Sequence, residues 1–270
     1  MNKRSMIVTF LLLCLTAVAG YGQDKPAPKA EEKPAAKAEA KPAAGDAKAR
    51  AQQVLTAARQ AKGSAEKLKA ARDLTERAEG NVNIQGQSID ITVTSYIQVP
   101  DKGRTEINIP VAGQTIVQTI NGANGWMEMG GGAQDMPGEV LTAGKHNLAR
   151  GWFTTFLMAP DGKEVEATAL EDAQVNGKPA DVLAVTLGDA KLTIYFDKQT
   201  HLALKTAYET LNPQMETVKA ESLYDDYKDV NGIKLAHKET IYQAGEKFLD
   251  VKLIEAKVNA GVEAAKFTKQ

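Results

Sequence analysis

Ile89-Asp90-Ile91-Thr92-Val93-Thr94-Ser95-Tyr96-Ile97-Gln98-Val99 alternates apolar and polar side chains almost without a break. Successive side chains of a pleated backbone point to opposite faces, so this stretch is expected to be one long strand with a greasy side. The pattern recurs at Ile107, Ile109 and Val111, and again at Ile116 and Ile120 around Gln118. Neighbouring strands of this kind pool one apolar face, and whatever covers that face decides the function.

Working outward, the start of the 270-residue chain has the grammar of an export leader. Lys3 and Arg4 precede an apolar run from Met6 to Val18, and small residues follow at Ala17-Val18-Ala19 and Gly20-Tyr21-Gly22. Residues 1–22 are therefore expected to be a cleaved signal peptide, and the run is too short for a confident spanning helix of ~20 residues. Cys14, the sole cysteine, lies inside it. The mature chain is then expected to hold no thiol or disulfide, and Leu13 stands where a lipid-modified cysteine needs a small residue.

Residues 23–48 are a different material, almost entirely Ala, Lys, Pro and Glu, with Lys25, Lys29, Lys33, Lys37 and Lys41 recurring every fourth residue. With no bulky apolar side chain to offset the entropy of ordering, this reads as a stiff, solvated, disordered linker. Its lysines invite contact with anionic surfaces, but the acidic residues among them dilute that. A formal net charge of −1 over the whole chain argues against nucleic acid as a partner.

Residues 49–270 are expected to form one domain. Ala51, Val54, Leu55, Ala58 and Ala61 recur at helical spacing from Ala47 onward, Gly63 terminates the helix, and Ser64 starts a short second turn ending near Ala71. Strand signals follow at 165–175, 180–187, 191–196, 203–210, 216–227, 233–243 and 247–258. They are separated by pairs such as Asn176-Gly177, Asn231-Gly232 and Ala244-Gly245, which supply the positive φ of tight hairpins. Connections this short require an antiparallel sheet. One insertion breaks the rule: Gly130-Gly131-Gly132 reads as a hinge, and Glu139–Leu148 and Gly151–Met158 read as two short helices placed as a lid.

Several motifs then carry a resemblance. Asn121-Gly122-Ala123-Asn124-Gly125-Trp126, Tyr195-Phe196-Asp197-Lys198-Gln199-Thr200-His201-Leu202 and Tyr224-Asp225-Asp226-Tyr227-Lys228-Asp229-Val230-Asn231-Gly232-Ile233, with Asn259 and Phe267 near the end, stand in matching order. The chain resembles the LolA/LolB/LppX superfamily of exported lipoprotein-carrier, lipoprotein-sorting and lipid-binding proteins. The resemblance implies an α+β fold: a curved antiparallel half-barrel with an N-terminal helix and a helical lid, in the periplasm. An unclosed sheet leaves a concave face too wide to fill with its own side chains, and each buried CH₂ of a guest chain contributes about 0.8 kcal/mol.

The expected acyl-chain lining is Ile91, Val93, Ile107, Ile109, Ile116, Trp126, Trp152, Phe153, Phe156, Leu157 and Met158, with Ile89, Ile97 and Ile120 beside them, and Arg104 at the rim holding the lid. As a lid residue, Phe156 is expected to tolerate Phe156→Asp with loss of lipid but not of fold. Chemistry is thinly represented: His146, His201 and His237 are scattered without metal-ligand spacing, and adjacent Asp225 and Asp226 face opposite ways on a strand unless a bulge intervenes. The expectation is a non-catalytic carrier or sensor of lipid or lipoprotein acyl chains, without cofactor or metal and touching membranes only transiently. The alternative is a periplasmic module that binds an envelope protein and holds no lipid.

Overall fold

The computed structural model describes residues 46–84 and 86–269. The leader, Cys14 and nearly all of the linker lie outside the described residues. Helix α1 (Ala47–Lys62) starts on Asp46, whose carboxylate accepts from the N–H groups of Lys48 and Ala49, and stops at Gly63. Ser64 caps α2 (Ala65–Ala70) in the same way.

Fourteen strands make one antiparallel sheet: β1 (Asp73–Ile84), β2 (Gln87–Gln98), β3 (Lys102–Ile109), β4 (Gln114–Asn121), β5 (Asn124–Met129), β6 (Gly132–Asp135), β7 (Glu166–Ala169), β8 (Ala173–Val175), β9 (Lys178–Leu187), β10 (Ala190–Asp197), β11 (Ala203–Leu211), β12 (Thr217–Val230), β13 (Ile233–Gln243) and β14 (Glu246–Val258). Their order is β6-β5-β4-β3-β2-β1-β14-β13-β12-β11-β10-β9-β7, with β8 paired to β9. Two meanders thus run outward from the seam where the first strand pairs with the last. Edges β6 and β7 do not pair, so the sheet stays open, and the single long helix α3 (Gly138–Phe156) joins them. A helix connecting the two free edges has to cross the mouth between them.

The sheet is strongly curved. Met127 and Met129 of β5 share one apolar cluster with Phe248 and Leu249 of β14, five strands away. Register shifts between Arg77 and Ala78 and between Ile241 and Tyr242 add bend at the seam.

Several expectations change. The lid is one helix, not two: Gly151 costs about 1 kcal/mol inside it, and the burial of Trp152, Phe153 and Phe156 in the next turn offsets that. The helix ends at Leu157, which adopts φ 54° and whose N–H bonds the Phe153 carbonyl. Gly130 and Gly131, at φ 61° and 90°, close the β5–β6 hairpin rather than hinge the lid. The strand expected at 165–175 is split into β7 and β8, both pairing with β9. Of the turn pairs, Asn176-Gly177, Asn231-Gly232 and Ala244-Gly245 carry positive φ at both positions, Asn121-Gly122 and Gly188-Asp189 only at the glycine, and Asn124-Gly125 at neither, because it opens β5.

Candidate functional site

The concave face is the one α3 covers. Leu74 and Ile97 share a cluster with Trp152 and Phe156, and Gly103 and Gly125 seat the helix by leaving room for Leu148 and Leu141. A Cβ on Gly103 would lie 3.1 Å from Leu148 Cδ1, and one on Gly125 would lie 2.6 Å from Leu141 Cδ1.

Across β1 to β4 this face is banded by register. Leu74, Ile97, Gly103 and Ile120 face one another across the strands, as do Glu76, Ser95, Thr105 and Gln118, and then Ala78, Val93, Ile107 and Ile116. A polar row therefore separates two apolar ones. The apolar band beyond it, with Val82, Ile89, Ile91 and Ile109, clusters without any α-helical residue. Val93, Ile107 and Leu148 are only half-buried although each points inward.

A second polar group lies on the far side of the seam, offset along the strands, since Glu239 is in register with Val251 and Gly80 while Glu76 meets Ala256. Thr206 and Ser222 pair across β11 and β12 and are both 1% exposed. The Tyr224 hydroxyl lies 3.0 Å from Thr206 Oγ1, and the Tyr208 hydroxyl lies 3.2 Å from Ser222 Oγ. Glu239 stands opposite Tyr224 in the register. Two cations enter from the helices. Lys62, 3% exposed at the end of α1, sets its ammonium 5.0 Å from the Tyr227 ring centroid. Arg150, 6% exposed on α3, sets its guanidinium 4.5 Å from that of Tyr208. None of Lys62, Glu76, Arg150 and Glu239 makes an ion pair with a described residue.

Burial shifts all four. It pushes the Glu76 carboxyl up to about 7, helped by the nearby Glu239 charge and opposed by Lys62. Burial draws the Lys62 ammonium down to about 7, against the pull of Glu76. Glu239 is raised and Arg150 lowered, again chiefly by burial, and the phenols of Tyr208 and Tyr224 are raised and stay protonated. Charges inside a fold are ordinarily paired, and strongly perturbed groups gathered in one concavity mark a functional region.

The Glu76 shift has a testable sign. The folded carboxyl titrates near 7 and the unfolded one near its ordinary 4.5, so the folded state holds the extra proton and stability falls as pH rises through that window. Glu76→Gln is expected to raise the urea midpoint at pH 8 and leave it nearly unchanged at pH 4. Equal effects at both pH values would contradict the shift.

The structure distributes the sequence-derived lining over three clusters and two faces. Ile91, Ile109 and Ile116 are buried in the strand-only cluster, with Val93 and Ile107 half-buried against it. Trp152 and Phe156 are buried with Leu68, Leu74, Ile233 and Leu235, and half-buried Met158 packs at their edge. Phe153 and Leu157 belong to the core beneath α1, with Leu183 and Ile194. Trp126 and Arg104 are separated from all of these, because each pairs with Thr119 and so faces away from Ile116 and Ile120. On that convex face Arg104 bonds Glu106 at 2.7 Å and donates to the Lys266 carbonyl, pinning the turn Ala264–Phe267 instead of the lid. The paired-carboxylate question closes too: Asp226 is ion-paired with Lys228, and the Asp225 carboxylate accepts from the Asp226 N–H.

What the sequence reading missed is the polar half of the site, Lys62, Glu76, Arg150, Tyr208, Tyr224 and Glu239. A signal was present for two of them. Glu76 occupies an inward position between Leu74 and Ala78, and Arg150 lies one helical turn from Phe153. Among the described residues no cluster of His, Cys, Asp and Glu is disposed to hold a metal, and no helix is long and apolar enough to cross a membrane.

At the sequence level no protein-family model and no curated protein matches this chain. Solved structures do match it in shape. A LolA superfamily protein from Nitrosomonas europaea superposes with a TM-score of 0.55 at 11% identity, covering 81% of this chain and 97% of that one. An outer-membrane lipoprotein-sorting protein domain from Vibrio parahaemolyticus gives 0.52 at 15% identity, covering 81% and 96%. A DUF1329 family protein from Desulfovibrio piger gives 0.53 at 13% identity, covering 81% and 97%. The fold is LolA-like.

Proposed function

From a LolA-like fold with an amphipathic trough, we propose that this chain is an exported, non-catalytic carrier or sensor that holds the acyl chains of a lipid or lipoprotein against its concave face. The observation that carries the reading is the half-burial of Val93 and Ile107, inward-facing in the strand-only apolar cluster, and of Leu148 on α3 above Gly103. Apolar surface inside a fold that its own side chains leave uncovered favours an apolar guest. The leader at residues 1–22 supports a periplasmic setting.

Native mass spectrometry of the mature chain, purified without detergent, tests the proposal. The expected spectrum shows protein with retained lipid mass, and Ile107→Trp, which fills the trough, is expected to lower the lipid-bound fraction at least threefold. Bare protein from cells and no uptake from mixed vesicles would overturn the carrier reading and favour the protein-interaction module.

A further inference from the structure

Arg150 is the most anomalous side chain in the trough. It is 6% exposed, yet it makes no ion pair with any described residue, and its Nε–H is buried without an acceptor. Of its five N–H donors, only Nη2 finds a side-chain acceptor, Asn147 Oδ1 one helical turn back. The Tyr208 ring beneath it supplies a cation–π contact but no acceptor for the free fork. The groups packed around it do not neutralise it. The phenols of Tyr208 and Tyr224 stay protonated, the Glu239 carboxyl forms no ion pair with it, and His146, on the same stripe of α3, has its own affinity for a proton lowered by burial and by the Arg150 charge.

A guanidinium held this way is complementary to one kind of guest, an oxyanion whose two oxygens meet the fork side by side. It lies on the helix that covers the concave face, against strand β11. We propose that Arg150, backed by Tyr208, receives the anionic head of the amphiphile whose tail occupies the trough, a fatty carboxylate or a lipid phosphate. This inference rests on the carrier reading and adds a head-group requirement to it. The lid helix then contributes the contact that fixes the polar end of the cargo, and the sheet contributes the apolar bed.

The test compares ligands with one tail and different heads. Delipidated mature protein is titrated with oleate, oleoyl lysophosphatidate and oleyl alcohol, read by tryptophan fluorescence and by native mass spectrometry. Wild type is expected to bind at least one of the two anions tenfold or more tighter than the alcohol, and whichever anion is tighter identifies the source of the head group. Arg150→Gln is expected to erase that preference while the alcohol binds as before, and Arg150→Lys, which keeps the charge but not the fork, is expected to keep a reduced preference. Equal binding of the anions and the alcohol by wild type would overturn the head-group inference and leave the carrier reading intact. Failure of all three to bind would overturn both. If Arg150→Gln does not fold, the wild-type and Arg150→Lys ratios decide, and an unchanged ratio in Arg150→Lys counts against the bidentate fork.

Discussion

Phe156→Asp is expected to unfold the domain, not merely to empty it. Phe156 is fully buried at 0% exposure, its ring 4.3 Å from that of Trp152 and packed among Leu68, Leu74, Ile233 and Leu235. Truncating such a ring costs about 3–5 kcal/mol, and a carboxylate left there without a partner adds to that. A loss on that scale is comparable to the whole stability of an ordinary domain, about 5–15 kcal/mol. Far-UV circular dichroism and urea titration check it: the expected result is a variant largely unfolded at 25 °C, and a cooperative transition within 1 M urea of wild type would contradict the assignment of Phe156 to the core. The sequence-based expectation that this substitution separates lipid retention from folding is therefore corrected. Part of α3 is a cover, but its C-terminal turn is a fastener.

Gly80→Val is expected to be the second most damaging change, by about 3 kcal/mol or more. A Cβ at Gly80 would lie 1.9 Å from the Asp250 carbonyl oxygen and 2.7 Å from Val251 Cα, both backbone atoms that no rotamer change can move aside. The position matters because β1 and β14 form the seam between the two meanders, the pairing of the chain's first and last strands. Forcing them apart loosens the joint on which the curvature depends. The urea midpoint is expected to fall markedly, with amide exchange accelerated in β1 and β14 before the outer strands. Wild-type stability in Gly80→Val would show that the close approach is not maintained in solution.

The seam is also where the sequence was least readable. Asp73-Leu74-Thr75-Glu76-Arg77-Ala78-Glu79-Gly80 has neither the apolar density nor the β-branched content of β2, yet it forms a central strand. Pairing on both sides, with β2 and with β14, supplies what propensity does not. Trp126 and Arg104 were misread for the related reason that an apolar or charged residue in a strand does not announce its face. Both pair with Thr119, which is 0% exposed, and the turn Ala264–Phe267 covers that patch from the far end of the chain. Gly151 misled because a glycine is a common helix terminator, and only the burial of the following aromatic turn shows why the helix continues through it.

Local patterning alone determined the antiparallel sheet, the capped N-terminal helix, the hairpin turns and the presence of a helical cover, because those depend on period, turn chemistry and connection length within a few residues. Tertiary structure alone decided which side of the sheet is the inside, that the first and last strands meet, and that Lys62, Glu76, Arg150 and Glu239 converge from α1, β1, α3 and β13 on one concavity. The reason is distance along the chain. Groups up to 177 residues apart meet only when the curvature brings them together, and no periodicity records a bend that is the sum of many small strand twists.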